Sequence, residues 1–221
     1  MKETITKLHT WLESLSQFSL PNWDGLPDLD LYMDQVVTYL ERELHTISAS
    51  ETENIITPWM INNYVKGRLI PIPEKKKYSK DHLAYMIAIC VVKQILSIND
   101  IKQFLDFNKF NNVDIQTLYD FIRDTQKTAI DEITTDANNK IEPLLKHNDD
   151  NEVTKELYDY ATNLAVEASI KKIIANRIFT LINDMDETKI KELEAMEKIR
   201  LEKEMLEKEK SLDKKIIKVN K

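Results

Sequence analysis

TPWMINNYVKGRLIPIPEKKKYSK, running from Thr57 to Lys80, is the stretch from which the rest of the chain is read. Thr57 followed by Pro58 is an N-cap and first-turn pair. The threonine hydroxyl can accept an orphan backbone N–H, and proline at the first helical position lacks the N–H that would go unpaired. A short helix is therefore predicted from Pro58 to about Lys66. Pro71 and Pro73 stop it, and Glu74 to Lys77 is too short and too charged for anything but a loop or a tight hairpin. From Pro58 to Lys80 there are six basic residues, Lys66, Arg68, Lys75, Lys76, Lys77 and Lys80, against one acid, Glu74. A segment of net charge +5 thus sits inside a protein of formal charge -7.

Working outward, helices are expected on both sides. Ser79 caps a segment whose apolar residues Leu83, Met86, Ile87, Cys90, Val91 and Ile95 cover so much of a helix that burial on more than one side is implied. Ser97 begins another, with Asp100 at the third helical position as a variant capping box and Ile98, Ile101, Phe104 and Leu105 facing inward. Upstream, Val36, Val37, Leu40, Leu44 and Ile47 mark a helix that Asp28 or Asp30 can cap. Residues 2 to 18 carry Ile5, Leu8, Trp11, Leu12 and Leu15 on one side of a further helix.

The second half differs. From Asp100 to Asp159 there are fourteen acidic residues against seven basic ones, which makes that region a poor face for DNA. Leu118, Phe121, Ile122, Ile130 and Ile133 predict one long helix ending near Pro143 and the polar run His147 to Asn151. Beyond Glu152 neither glycine nor proline occurs, and Val153, Leu157, Tyr160, Leu164, Ala168, Ile174, Ile178 and Leu181 form an apolar stripe. Residues 186–221, with ten acidic and eleven basic side chains, read as a coiled coil with a broken heptad or as a solvated single helix.

Composition excludes several classes. The 221 residues contain two glycines, Gly25 and Gly67, so no glycine-rich phosphate cradle of the dinucleotide or P-loop type can be built. Few glycines and prolines also argue against an all-β fold and for a helical one. Cys90 is the single cysteine, which removes intrachain disulfides and zinc sites needing two thiolates, and its apolar helix face makes it a buried structural thiol. The apolar run Ala84 to Val92 is too short to span a bilayer, and Met1 to Leu15 holds no signal-like stretch, so a cytoplasmic protein is expected. Catalysis finds no frame. His9, His45, His82 and His147 are scattered, and Glu41 with His45 is one i, i+4 pair, read as a surface contact. Asp24, Asp28 and Asp30, and Asp149 with Asp150, read as turn and cap residues. No enzyme activity, cofactor or metal is expected.

The basic segment points instead to a polyanion. Lysines and arginines bind phosphates without sequence preference, while Asn62 and Asn63 on the polar face of the short helix carry the paired donor and acceptor that match adenine in the major groove. Tyr64 and Tyr78 flank the patch and could donate to phosphate oxygens. A lysine triplet alone reads as a solvated loop tip.

Three words in order add to this: YVKGRLIPIP from Tyr64, KYSKDHL from Lys77, and LSINDIKQFL from Leu96. Over about 50 residues they resemble the words YYExxGLLxP, YSxxDL and FSLEEIRxLL of the winged helix-turn-helix in MerR-type transcription regulators. The chain is also similar to uncharacterised bacterial MerR-like proteins grouped as a domain of unknown function. The resemblance implies a recognition helix from Thr57 to Lys66 and a wing from Pro71 to Tyr78. Trp59 and Asn62 stand where the family often has arginines, and Lys75, Lys76 and Lys77 would be the wing's phosphate contacts. Glycine sits at Gly67 rather than one residue later, so Arg68 falls where a left-handed C-cap is expected, at a cost of about 1 kcal/mol. The link from the helix Met33 to Ile47 to Thr57 is longer than the family's tight turn, and about 115 residues of further helices follow the motif.

The expectation is an all-α protein, an N-terminal MerR-like winged helix-turn-helix bundle followed by long C-terminal helices. Residues 1–30 are an N-terminal helix and linker, 31–107 the helix-turn-helix domain, 108–185 a dimerisation or sensing region, and 186–221 the charged tail. Its expected function is sequence-specific binding of double-stranded DNA as a homodimer, with an unidentified effector or protein partner acting through the C-terminal helices and no membrane involved. Thr57 caps the recognition helix, Asn62 and Asn63 read bases, and Tyr64, Lys66, Arg68, Lys75, Lys76, Lys77 and Tyr78 hold phosphates. A helical adaptor that keeps the core without binding DNA is the alternative.

Overall fold

The computed structural model describes residues 2–47, 54–146, 149–182 and 184. The chain divides into two units, residues 1–172 and 173–221. The architecture is all-α apart from one two-stranded sheet among the described residues. Helix α1 spans Lys2–Gln17, strand β1 Leu31–Tyr32, α2 Met33–Leu44, α3 Pro58–Lys66, β2 Lys77–Tyr78, α4 Lys80–Val92, α5 Ile98–Phe110 and α6 Ile115–Ile141.

Helix α4 is the axis of the first core. Leu83, Ala84, Met86, Ile87, Ala88, Ile89 and Cys90 are all buried, so the helix is apolar around its whole circumference, the pattern of an element enclosed by others. Helices α2 and α6 pack on it, and Ile61 and Tyr64 of α3 complete the same cluster. Strands β1 and β2 pair antiparallel, with Leu31 opposite Tyr78 and Tyr32 opposite Lys77. The sheet therefore ties the segment before α2 to the segment before α4.

Ser97 and Asp114 cap α5 and α6 with side-chain oxygens accepting from Asp100 N at 3.1 Å and Thr117 N at 2.7 Å. Helix α2 is capped differently from expectation. Gln35 Oε1 accepts the Tyr32 N–H at 2.9 Å, while Asp28 is drawn into an ion pair with Lys80 and Asp30 precedes the strand. A two-residue strand feeding straight into a helix leaves no room for an aspartate cap.

The first core reaches past the expected limits of 31–107. It starts at Leu20 and Leu26 and ends at Leu118, Tyr119 and Ile122. Residues 20–30 are stitched in rather than loose. The Tyr119 hydroxyl donates to Pro21 O at 2.7 Å, and Trp23 meets the Tyr119 ring edge-on at 6.1 Å. Helix α6 is about 40 Å long at 1.5 Å per residue, long enough to serve two cores. Its far half joins α1 in the second one, built from Ile5, Leu12, Ala137, Ile141, Leu144 and Val153. Ile98, Phe121 and Ile133, expected to face inward, are exposed. Each lies on a helix whose buried side is already filled by residues one turn away.

Asp149 caps the next helix, accepting from Asn151 N at 2.8 Å, and residues 150–172 are helical. Of its expected stripe only Val153, Leu157 and Tyr160 reach the second core, and Tyr158, Val166 and Ile170 are exposed. In the second unit residues 173–182 are helical and expose Ile173, Ile174, Ile178, Leu181 and Ile182. The expected charged tail 186–221 lies outside the described residues, as do Ser48 to Glu53 and His147 and Asn148. No described helix is long and apolar enough to cross a membrane.

Candidate nucleic-acid interface

Helix α3 begins where the sequence predicts. Thr57 is extended, at φ -128°, and its Oγ1 accepts the Met60 N–H at 3.2 Å with Pro58 in the first turn. The approach to this cap is held on both sides. Glu41 Oε1 on α2 accepts the Ile56 N–H at 3.1 Å, and the Lys93 ammonium donates to Ile55 O. Glu41, expected in a surface pair with His45, instead acts as an anchor for the chain entering α3. These contacts fix the first turn of a nine-residue helix that could not hold its shape alone.

The helix is two-sided. Ile61 and Tyr64 point into the core, with Met60 and Val65 packed beside them. Trp59, Asn62 and Lys66 are exposed and Asn63 is half-buried; at spacings of three, four and seven residues they share the opposite face. Trp59 is 72% exposed.

The C-terminus of α3 is a Schellman turn. Leu69 N donates to Tyr64 O at 2.9 Å and Arg68 N to Val65 O at 3.0 Å, with Arg68 left-handed at φ 60° as its sequence position predicts. At Gly67 the issue is space rather than dihedral, and the Leu69 side chain would have to shift for a larger residue. The Gly67 φ is ordinary, -74°, but a Cβ there would stand 2.8 Å from the Leu69 side chain and 3.1 Å from Asn63 O. The glycine thus gives space while the arginine bears the strained dihedral.

The basic loop ends in an equally strained turn. Lys75 and Lys76 both have positive φ, 47° and 63°, and Lys77 N donates to Glu74 O at 2.8 Å, which makes a type I′ turn. That turn favours Asn-Gly, and here it carries two lysines. Four residues are left-handed among the described ones, none a glycine: Arg68, Lys75, Lys76 and Asn112. Asparagine tolerates the conformation, whereas each cation occupies it at about 1 kcal/mol or more.

Lys66, Arg68, Lys75 and Lys76 are exposed and enter no ion pair among the described residues. Lys77 is half-buried, its ammonium 5.2 Å from the centre of the Tyr32 ring. Lys80 pairs with Asp28 and stands over Trp23, so it serves the fold.

Two expected phosphate contacts are corrected. Tyr64 is 4% exposed and Tyr78 3% exposed, both within the first core. Burial pushes the Tyr64 hydroxyl up to about 12, with the Cys90 thiol a smaller influence, and burial also raises Tyr78. Their rings are needed for packing, and neither side chain stands on the cationic surface.

A histidine that the sequence reading left scattered proves to be part of the frame. His82, 7% exposed, completes the capping box of α4 by accepting the Ser79 N–H on Nδ1 at 3.1 Å, with Ser79 Oγ at 2.8 Å. Its ring packs edge-on to Tyr78 at 5.6 Å, and its buried Nε2 has no hydrogen-bond partner among the described residues. Desolvation holds its pKa below the usual histidine range, against the opposing pull of Asp81, the Pro71 and Ile72 backbone and Asp30. His82 thereby ties Tyr78 and Ser79, at the end of the loop, to α4. A capping-box pattern read with histidine in place of glutamate would have found it. No group of three or more His, Cys, Asp or Glu side chains able to hold a metal occurs among the described residues.

No curated protein and no solved structure matches the chain. A family described as Domain of unknown function (DUF1836) matches residues 21–122. Those limits coincide with the first core, Leu20 to Ile122, and enclose α3, the strained turn and the helices that hold them.

Proposed function

We propose that this protein is a sequence-specific, double-stranded-DNA-binding transcription regulator of MerR-like type. Helix α3 enters the major groove, and residues 71–78 form a wing along the phosphates. The observation that carries the proposal is the placing of Arg68, Lys75 and Lys76 at left-handed dihedrals. Strain of this kind persists where the surrounding structure imposes it, and it clusters at functional sites. Glycine or asparagine would relieve it, yet three exposed cations occupy the left-handed positions of two turns in one short segment. A solvated loop has no physical need of that arrangement; a surface for a polyanion does.

Supporting this, the exposed face of α3 offers Asn62 and Asn63 to base edges while its other face is fixed in the core. Lys66, Arg68, Lys75, Lys76 and Lys77 supply the phosphate contacts. One short helix and one turn read few base pairs, so a homodimer belongs to the proposal. Exposed aliphatic residues on the helical residues 150–172 and again on 173–182 are the surfaces available for pairing. The role is one of binding, in the cytoplasm.

The test is fluorescence anisotropy of the full chain with a duplex enriched by that protein from a randomised pool, against a scrambled duplex, at two salt concentrations. Saturable binding that prefers the enriched duplex and weakens steeply with salt is expected. Failure to bind either duplex at the lower salt overturns the proposal in favour of a helical adaptor.

A further inference from the structure

Among the side chains of the α3 face, Trp59 has no role in the fold. It is the second residue of the helix, 72% exposed, while Met60 and Ile61 beside it are turned to the core. Its backbone is rigidly held by the Thr57 cap, the Pro58 ring and the anchors from Glu41 and Lys93. The indole is thus presented at a fixed point near the helix N-terminus, the end of a recognition helix that meets base edges.

We infer that Trp59 reads thymine, its indole packing on the C5-methyl group in the major groove. This rests on the DNA-binding reading above. Indole has one donor and no acceptor, so it cannot match adenine's paired edge as asparagine can. Its apolar flank suits the thymine methyl, the one apolar group the major groove displays. The surrounding charge selects the occupant: Trp59 shares its face with Lys66 and lies in the segment of net charge +5, which favours a polyanion over a neutral or basic protein partner. Asn62 and Trp59, three residues apart, then divide the reading of A·T pairs, one by hydrogen bonds and the other by shape.

The experiment uses the full chain and duplexes it enriches from a randomised pool. Each thymine of the enriched duplex is replaced singly by deoxyuridine, which removes the methyl group alone. Affinities are measured for the wild type, Trp59→Ala and Trp59→Gln, with melting temperatures as a check on folding. One position is expected at which deoxyuridine weakens the wild type about threefold to tenfold and changes either variant less than twofold. Two results overturn the inference and leave DNA binding intact: no uridine position affects the wild type, or the uridine and Trp59 losses multiply. If the pool yields no enriched duplex, the DNA-binding reading falls and takes this inference with it.

Discussion

Replacing Lys75 with Asn and Lys76 with Gly gives the tip of the basic loop the residue pair its turn favours, and the structure sets the size of the effect. Both lysines are left-handed, at φ 47° and 63°. Relieving two such residues returns roughly 1 kcal/mol each. Against this, the new glycine adds about 0.5–1 kcal/mol of unfolded-state entropy. The net stabilisation is therefore about 1 kcal/mol, which for a chain of this size raises Tm by about 2–4 °C. The midpoint of urea unfolding should rise with its slope unchanged. The same change deletes two exposed cations. If both touch phosphates, the slope of log K against log salt becomes shallower by about 1.8 for each copy bound, at roughly 0.9 per contact. A more stable protein that holds DNA less tightly is the expected pair of results. Loss of stability would refute the strain argument, and an unchanged salt slope would refute the assignment of these lysines to phosphates.

Other consequences test the frame around the site. His82 is held below its ordinary pKa, so between that value and about 6.5 the unfolded chain binds more protons than the folded one. Stability contributed by neutral His82 is present above pH 6.5 and is lost as the pH falls through that window. Urea titrations from pH 7.5 to 5 should show a steeper loss in the wild type than in His82→Gln, whose amide keeps the capping box without titrating; equal slopes would remove His82 from the account. Cys90 is buried, and burial pushes its thiol up to about 11. A disulfide reagent at pH 8 should label it only after unfolding in urea, and rapid labelling of the native protein would contradict the packing of α4. Thr57→Ala removes the α3 cap and should cost about 1 kcal/mol in chemical denaturation; a variant as stable as the wild type would show that the Glu41 and Lys93 anchors hold the helix by themselves.

Elements defined by local chemistry were legible in the sequence. Thr57 with Pro58, Ser79, and Ser97 with Asp100 marked three helix starts that the structure reproduces, because a cap and its recipient lie within three residues. Arg68 could be assigned a left-handed dihedral because the glycine falls one position early. What depends on distant partners was not legible. Tyr64 and Tyr78 have a polar tip and an apolar body, and only the tertiary packing shows that the body decides. Strand β1 has two residues, too few for any alternation to register. Asp28 belongs to Lys80, 52 positions away, so its promise as a cap was misleading. The first core includes residues outside 31–107, such as Leu20 and Tyr119, because Trp23 and Tyr119 meet across 96 positions. Trp59 was noticed in the helix but not as its most exposed large side chain, a fact that needs the surface.

The central claim, that the face formed by α3 and residues 71–78 binds double-stranded DNA, is tested most directly by anisotropy over a salt series. Wild type and the triple variant Lys75→Glu, Lys76→Glu, Lys77→Glu are titrated with the same enriched duplex. With up to five phosphate contacts from Lys66, Arg68, Lys75, Lys76 and Lys77, the wild-type slope should approach about -4.5 for each copy bound. In the triple variant the slope should become shallower by at least about 2.7, with affinity falling at every salt concentration. Wild-type affinity and slope in the triple variant, at an unchanged melting temperature, would contradict the claim.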